Sequence, residues 1–244
     1  MEQGIIKKIG IFGDSILKGI QLDRITKKHI VKNDIDIDKI GGKHLVSIDN
    51  FSLFGSTINK GKTLLQRHLG RKSFDIVLLE YGGNDCDFNW ANIAENPSGN
   101  HVPNTPISTF VDTYVNMIHS LKEKHIEPII TTLPPLEPQR FFDWFCKGLN
   151  KDNVLKWLGN VNTIYRWQER YSRAIEQIGH KTNTIVIDLR GAFLNHFRID
   201  DLLCEDGIHP NTKGQNIITE AFLNFSRENF VKCNMIEPMA VCID

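Results

Sequence analysis

Ser15 follows Gly13-Asp14 directly behind an apolar run, while Asp206 and His209 stand three residues apart near the other end of the chain. A hydroxyl, an imidazole and a carboxylate are the groups that nucleophilic acyl transfer needs. A serine hydroxyl near neutral pH is a weak nucleophile and requires a base within hydrogen-bond reach. His209 is the candidate base. Asp206, one turn or tight loop earlier, would hold the ring in the right tautomer and stabilise its protonated form. Base catalysis of this kind contributes about 10²–10⁴-fold. The tetrahedral intermediate also needs donors for its oxyanion. Gly55, the side-chain amide of Asn84 and the backbone N–H of Ser15 are the candidates, and removing one such donor costs about 2.7–4 kcal/mol.

Each residue also has a plainer reading. Ser15 could cap a helix. Gly82-Gly83-Asn84-Asp85 and Asp206-Gly207 are ordinary turn sequences. His209 could be a surface residue ahead of Pro210. What favours chemistry is placement along the chain. Five short apolar runs cover Ile5–Phe12, Leu45–Ile48, Phe74–Tyr81, Ile126–Leu133 (weakened at Pro128) and Thr184–Leu189. Runs of this length, apolar on both faces, suit strands buried in a parallel sheet. Between them lie helical stretches: Thr57–Leu69 ending at Gly70, a helix opened by Thr105-Pro106, Asn160–Ile178 stopped by Gly179, and Asn211–Phe230. In the second, Phe110, Tyr114, Met117, Ile118 and Leu121 keep the 3.6 period. Alternating strand and helix define an α/β fold with right-handed crossovers. Sites in such folds form beyond the carboxyl ends of the strands. Ser15, Asn50–Gly55, Gly82–Asp85, Pro134–Arg140, and Asp206 with His209 all fall on that rim.

The ordered set Gly13-Asp14-Ser15, Gly55, Gly82-Gly83-Asn84-Asp85 and Asp206-x-x-His209-Pro210 resembles the four blocks of the SGNH hydrolases, also called the GDSL esterase/lipase family. The blocks span nearly the whole chain. Ile16 replaces the family's leucine, one apolar residue for another. The resemblance implies a flavodoxin-like three-layer α/β/α sandwich with a five-stranded parallel sheet. It implies Ser15 as nucleophile, His209 as base, Asp206 as its partner, and Ser15, Gly55 and Asn84 as the oxyanion hole. Family members include acetylesterases of carbohydrates, lysophospholipases, thioesterases and arylesterases.

The segment from Leu136 to about Asn160 breaks the alternation. It concentrates Phe141, Phe142, Trp144, Phe145 and Trp157 among basic residues. It reads as a mostly helical insertion over the rim of one domain spanning residues 1–244. Asp14, Arg140 and Trp144 are the candidate substrate contacts. Against these stand Asp14 as a turn support, Arg140 as a solvated or locally paired cation, and Trp144 as packing for the inserted helices.

With 244 residues, 41% hydrophobic and 24% charged, the chain can bury a core. A formal net charge of zero removes the electrostatic case for nucleic acid or anionic membrane. No apolar run is long enough to span a bilayer. The N-terminus lacks the pattern of a secretory signal, so a cytoplasmic location is expected. Five cysteines (Cys86, Cys146, Cys204, Cys233, Cys242) form no Cys-x-x-Cys pair, and nine histidines show no metal-ligand spacing. No metal and no cofactor are expected.

The expected function is therefore a serine esterase acting on a small-molecule ester, with a short acyl group because no long apolar groove is visible, an O-acetyl carbohydrate being one such substrate. Lysophospholipase or thioesterase activity on the same fold is the near alternative. A non-catalytic carbohydrate or peptide binder is the distant one. A nucleotide binder is disfavoured, because Asp14 sits where a phosphate would.

Overall fold

The computed structural model describes residues 7–32 and 46–230. Its main sheet has five strands, all parallel: β1 (Lys7–Gly13), β4 (Val46–Asn50), β5 (Ile76–Glu80), β6 (Glu127–Thr131) and β7 (Ile185–Ile187), in the order β4-β1-β5-β6-β7. This is the doubly wound order in which the chain direction reverses beside the first strand. A separate antiparallel hairpin, β2 (Ile20–Leu22) with β3 (His29–Val31), lies outside it. The beginnings of the first two expected runs (Ile5 and Ile6, then Leu45), together with Cys233 and Cys242, fall outside the described residues.

The central strand β5 shows why the runs are apolar throughout. Val77 and Leu79 belong to one core, with Phe12 and Ile130 from neighbouring strands. Ile76 and Leu78 point the other way, into a second core with Ile129 and Ile187. A strand alternates faces, so burial on both sides requires an unbroken apolar stretch. The first core is closed by α1 (Ile58–Leu69), α3 (Ile107–Glu123) and α6 (Asn162–Thr182). The second is closed by α7 (Leu189–Leu194) and α8 (Thr212–Phe230). The result is the expected α/β/α sandwich. Short helices α2 (Trp90–Glu95), α4 (Pro138–Phe145) and α5 (Lys151–Leu158) join the start of α6 around a third apolar cluster. Among the described residues no helix is long and apolar enough to cross a membrane. Cys86, Cys146 and Cys204 are free and buried.

Two details depart from the sequence expectations, and a third concerns how a helix is capped. Pro128 lies inside β6, but Glu127 donates to Asp75 on the β5 side, so the Pro128 nitrogen faces β7, whose pairing starts only at Ile129. No ladder bond is lost there. Gly179 does not stop α6; the helix continues to Thr182 and ends at Asn183 in the left-handed conformation. Gly179 is small because Val186 packs onto it, where a Cβ would come within 2.2 Å. Finally, α1 is capped from a distance. Thr57 makes no side-chain cap, and the Ile58 N–H instead donates to both carboxylate oxygens of Asp85 at 3.0 and 3.1 Å. Burial raises the Asp85 pKa to about 6, partly offset by bonds from Thr105 and Ile58.

Candidate active site

Ser15 lies in the tight turn after β1. That turn is held by Lys18 N–H to Asp14 C=O at 3.1 Å and Ile20 N–H to Ser15 C=O at 3.0 Å. His209 comes from the loop before α8, where its carbonyl accepts from Cys204 N–H at 2.7 Å. The Asp206-Gly207 turn uses a positive φ of 75° at Gly207. These two loops bring Ser15 Oγ to 3.0 Å from His209 Nε2, and His209 Nδ1 lies 2.8 Å from Asp206 Oδ2. Ser15, Asp206 and His209 are all buried.

Asp206 is saturated with donors. Its Oδ1 accepts the backbone N–H groups of Ile208 at 3.2 Å and His209 at 3.1 Å. Its Oδ2 accepts His209 Nδ1 and also His29 Nε2, the latter at 3.0 Å. The network assigns the protons to those two nitrogens, leaving His209 Nε2 free to accept from the serine hydroxyl. Burial alone would push the Asp206 pKa up, but the His209 and His29 contacts outweigh it and hold the group at about 2.

His29 comes from the hairpin and was not singled out in the sequence. Its ring lies 4.8 Å from that of His209, 5.3 Å from Phe54 and 5.8 Å from Trp144. Phe54 in turn stacks on His209 at 6.0 Å. The outer face of His209 is thus lined by rings. Among the described residues, His29, Asp206 and His209 have ligand atoms within 4.8 Å of one another, close enough to share an ion. Their mutual hydrogen bonds occupy the nitrogens a metal would need.

Asn84 sits in the turn after β5. Its Nδ2 donates to Asp14 Oδ2 at 3.0 Å and more weakly to Ser56 C=O at 3.3 Å. Behind Asp14 is Glu80, whose Oε2 accepts the Asp14 N–H at 3.1 Å. Both carboxyl groups are enclosed, so burial raises both pKa values, and the nearby Asp14 drives Glu80 well above the carboxylate range. The Asp14 carboxyl accepts from the Asn84 Nδ2 and so fixes which way round the amide sits. Asp14 borders the space beside Ser15. Gly55 lies in the loop after β4 with φ 68° and open space where a Cβ would be.

Two other candidates sit elsewhere. The Arg140 guanidinium donates to the Asp200 carbonyl at 2.8 Å and lies 3.6 Å from its carboxylate. It lines a separate surface groove with Glu137, Tyr165 and Arg166. Local pairing, the plainer reading, describes it. Trp144 is half-buried, with Lys147 Nζ 3.6 Å above its ring. It flanks His29 and does not border the cavity beside Ser15.

A doubly wound parallel sheet with an imidazole-bonded serine at its switch point is an arrangement able to support a hydroxyl nucleophile. The chain belongs to the GDSL-like lipase/acylhydrolase family, whose model matches residues 11–217, and it is a carboxylic ester hydrolase. No curated protein sequence matches it significantly. Among solved structures, the lipase/acylhydrolase from Enterococcus faecalis superposes with TM-score 0.63 at 20% identity, covering 91% of this chain and 96% of that one. Axe2, an acetylxylan esterase from Geobacillus stearothermophilus, gives 0.63 at 19% identity, covering 92% and 95%. Catalytic mutants of Axe2 carry alanine in place of a serine, a histidine and an aspartate, the last two three residues apart. At these identities the structural likeness concerns the fold.

Proposed function

We propose that the protein is a serine esterase that cleaves its substrate by double displacement through an acyl-enzyme. The observation that carries this reading is the unbroken series Ser15 Oγ–His209 Nε2–His209 Nδ1–Asp206 Oδ2, at 3.0 and 2.8 Å. Ser15 Oγ attacks the ester carbonyl while His209 Nε2 takes its proton. Asp206 keeps the ring oriented and stabilises the imidazolium. Collapse of the tetrahedral intermediate breaks the bond to the alcohol, which leaves with the proton from His209. Water, deprotonated by the same nitrogen, then attacks the acyl-enzyme. The carboxylic acid departs and the proton returns to Ser15.

Three donors serve the oxyanion: the N–H groups of Ser15 and Gly55 and the amide of Asn84. The 3.3 Å bond from Asn84 to Ser56 is the weaker of its two, so that hydrogen is the one an oxyanion takes over. Asp14, backed by Glu80, is a positioning residue for this amide. The spacing of the aspartate and histidine mutated in Axe2 supports the assignment of Asp206 and His209.

The test is a pre-steady-state assay with p-nitrophenyl acetate. A burst of about one equivalent of p-nitrophenol per active site is expected, with acetyl trapped on Ser15 at low pH. Hydrolysis with no acyl adduct on any tryptic peptide containing Ser15 overturns the mechanism.

His29 adds a positioning contact. His29→Phe keeps the ring packing against Phe54 and Trp144 but removes the N–H to Asp206. A hydrogen bond to a charged group contributes about 1.5–3 kcal/mol, part of which is regained by water. The expected result is a roughly tenfold lower kcat with KM unchanged. An unaltered kcat would show that His209 is oriented without it.

A further inference from the structure

A cavity of about 310 Å³ opens beside Ser15, Gly83 and Asn84 and runs under the helices of residues 136–160. Its walls are Phe88, Trp90, Phe141, Trp157, Leu158 and Trp167, drawn from the loop after β5 and from α2, α4, α5 and α6. Of the polar groups that border it, Trp167 Nε1 and Glu80 Oε1 have no partner, and several others are engaged. Asp87 accepts Trp90 Nε1 at 2.7 Å. Gln168 donates to the Pro134 carbonyl at 3.0 Å and accepts from Arg190 at 3.2 Å. The His101 ring bonds the Asn96 carbonyl at 2.7 Å. A sugar placed among these rings would find few free partners for its several hydroxyls, which is costly in a buried site. A hydrocarbon needs none.

The tetrahedral carbon on Ser15 carries three other substituents, and the geometry allots each a direction. On the proposed mechanism the oxyanion is taken by the Asn84 amide. The leaving alcohol must lie within reach of His209, which does not border the cavity and whose outer face meets Phe54 and His29. The remaining direction is the cavity.

Building on the reading of Ser15 as nucleophile, we propose that this cavity receives the acyl chain of the substrate, a saturated chain of about six to ten carbons. A methylene is close in size to a water molecule, which occupies about 30 Å³ in the liquid, so the space holds about ten such groups. This replaces the short acyl group expected from the sequence. The pocket is assembled from five separate segments, and no single stretch of the chain displays it as an apolar groove.

The experiment is a panel of p-nitrophenyl esters from acetate to laurate, with the wild type and with cavity-filling variants. Each added methylene is expected to raise kcat/KM up to about fourfold. Octanoate should exceed acetate by at least about 100-fold, with decline by laurate. Leu158→Trp should cut the octanoate-to-acetate ratio at least tenfold, and Leu136→Phe should act in the same direction. Acetate turned over as well as octanoate by the wild type overturns the proposal, as does an unchanged ratio in a folded filling variant. A second measurement needs no catalysis: Ser15→Ala titrated with sodium octanoate, read by the emission of the tryptophans that line the cavity. A saturable change with octanoate and none with acetate supports the proposal. No saturable change at millimolar octanoate overturns it. If no ester is hydrolysed at all, the serine esterase reading fails, and this titration still decides what the cavity holds.

Discussion

Ser15→Ala lowers kcat for p-nitrophenyl acetate by about 10⁴–10⁶-fold, the range expected when the nucleophile of such a constellation is removed. The effect is large because nothing nearby can stand in for it. The Oγ is the atom within 3.0 Å of His209 Nε2. Cys86, also beside the cavity, has its thiol pushed well above its usual pKa by burial, and it donates to the Gly83 carbonyl at 3.2 Å. It is protonated and inert at neutral pH. The fold should be indifferent to the change. The turn at Ser15 is held by backbone bonds and by Asp14, whose Oδ1 accepts the Ile16 N–H at 2.9 Å. Loss of one hydroxyl there shifts the melting temperature by only a few degrees. An alanine variant with more than about 1% of wild-type turnover would rule out Ser15 as nucleophile.

Asp206→Asn is expected to reduce kcat by about 10⁴-fold, through the tautomer of His209 rather than through charge alone. Each carboxylate oxygen of Asp206 faces two donors: Ile208 N–H and His209 N–H on Oδ1, His209 Nδ1 and His29 Nε2 on Oδ2. An asparagine has one acceptor and one donor group. Either way round, its NH₂ meets two N–H donors. The amide settles with NH₂ toward the rings, because the backbone donors cannot change their protonation. His209 Nδ1 must then become an acceptor, which puts the proton on Nε2 and leaves Ser15 facing a donor in place of a base. The variant should therefore lose kcat with little change in KM. Asp206→Asn with wild-type kcat would show that another group orients the ring.

Much of this arrangement was legible in the sequence, for identifiable reasons. Runs such as FDIVLLEY are apolar on both faces because Val77 and Ile76 serve different cores. The polar clusters that followed the runs lie on one rim because parallel strands all end on the same side. Ser15, Asn84, Asp206 and His209 were named from that logic, and the chain brings them to one place. What escaped notice escaped for physical causes. The β2–β3 hairpin has strands of three residues, and Lys27 rather than glycine or asparagine takes the positive φ in its loop. Nothing in Asp23–Lys28 announced a turn that carries His29 to Asp206. Glu80 was read as one more residue of a buried strand. Only the register, which pairs it with Gly13, sets its carboxyl beside Asp14. Arg140 was on the right rim by position, but Asp200, sixty residues on, claims it.

The hydroxyl and the ring that meet at Ser15 and His209 are 194 residues apart along the chain. The loop that delivers the ring is pinned by α8, through Ile218 and Phe222 in the second core and the close fit of Gly214 against the Leu202 carbonyl. On the proposed mechanism, a growing polypeptide is therefore expected to be inert toward esters until that helix has left the ribosome and docked. A single protease nick that lets it drift away would part His209 from Ser15 and uncover the second core on that face of the sheet.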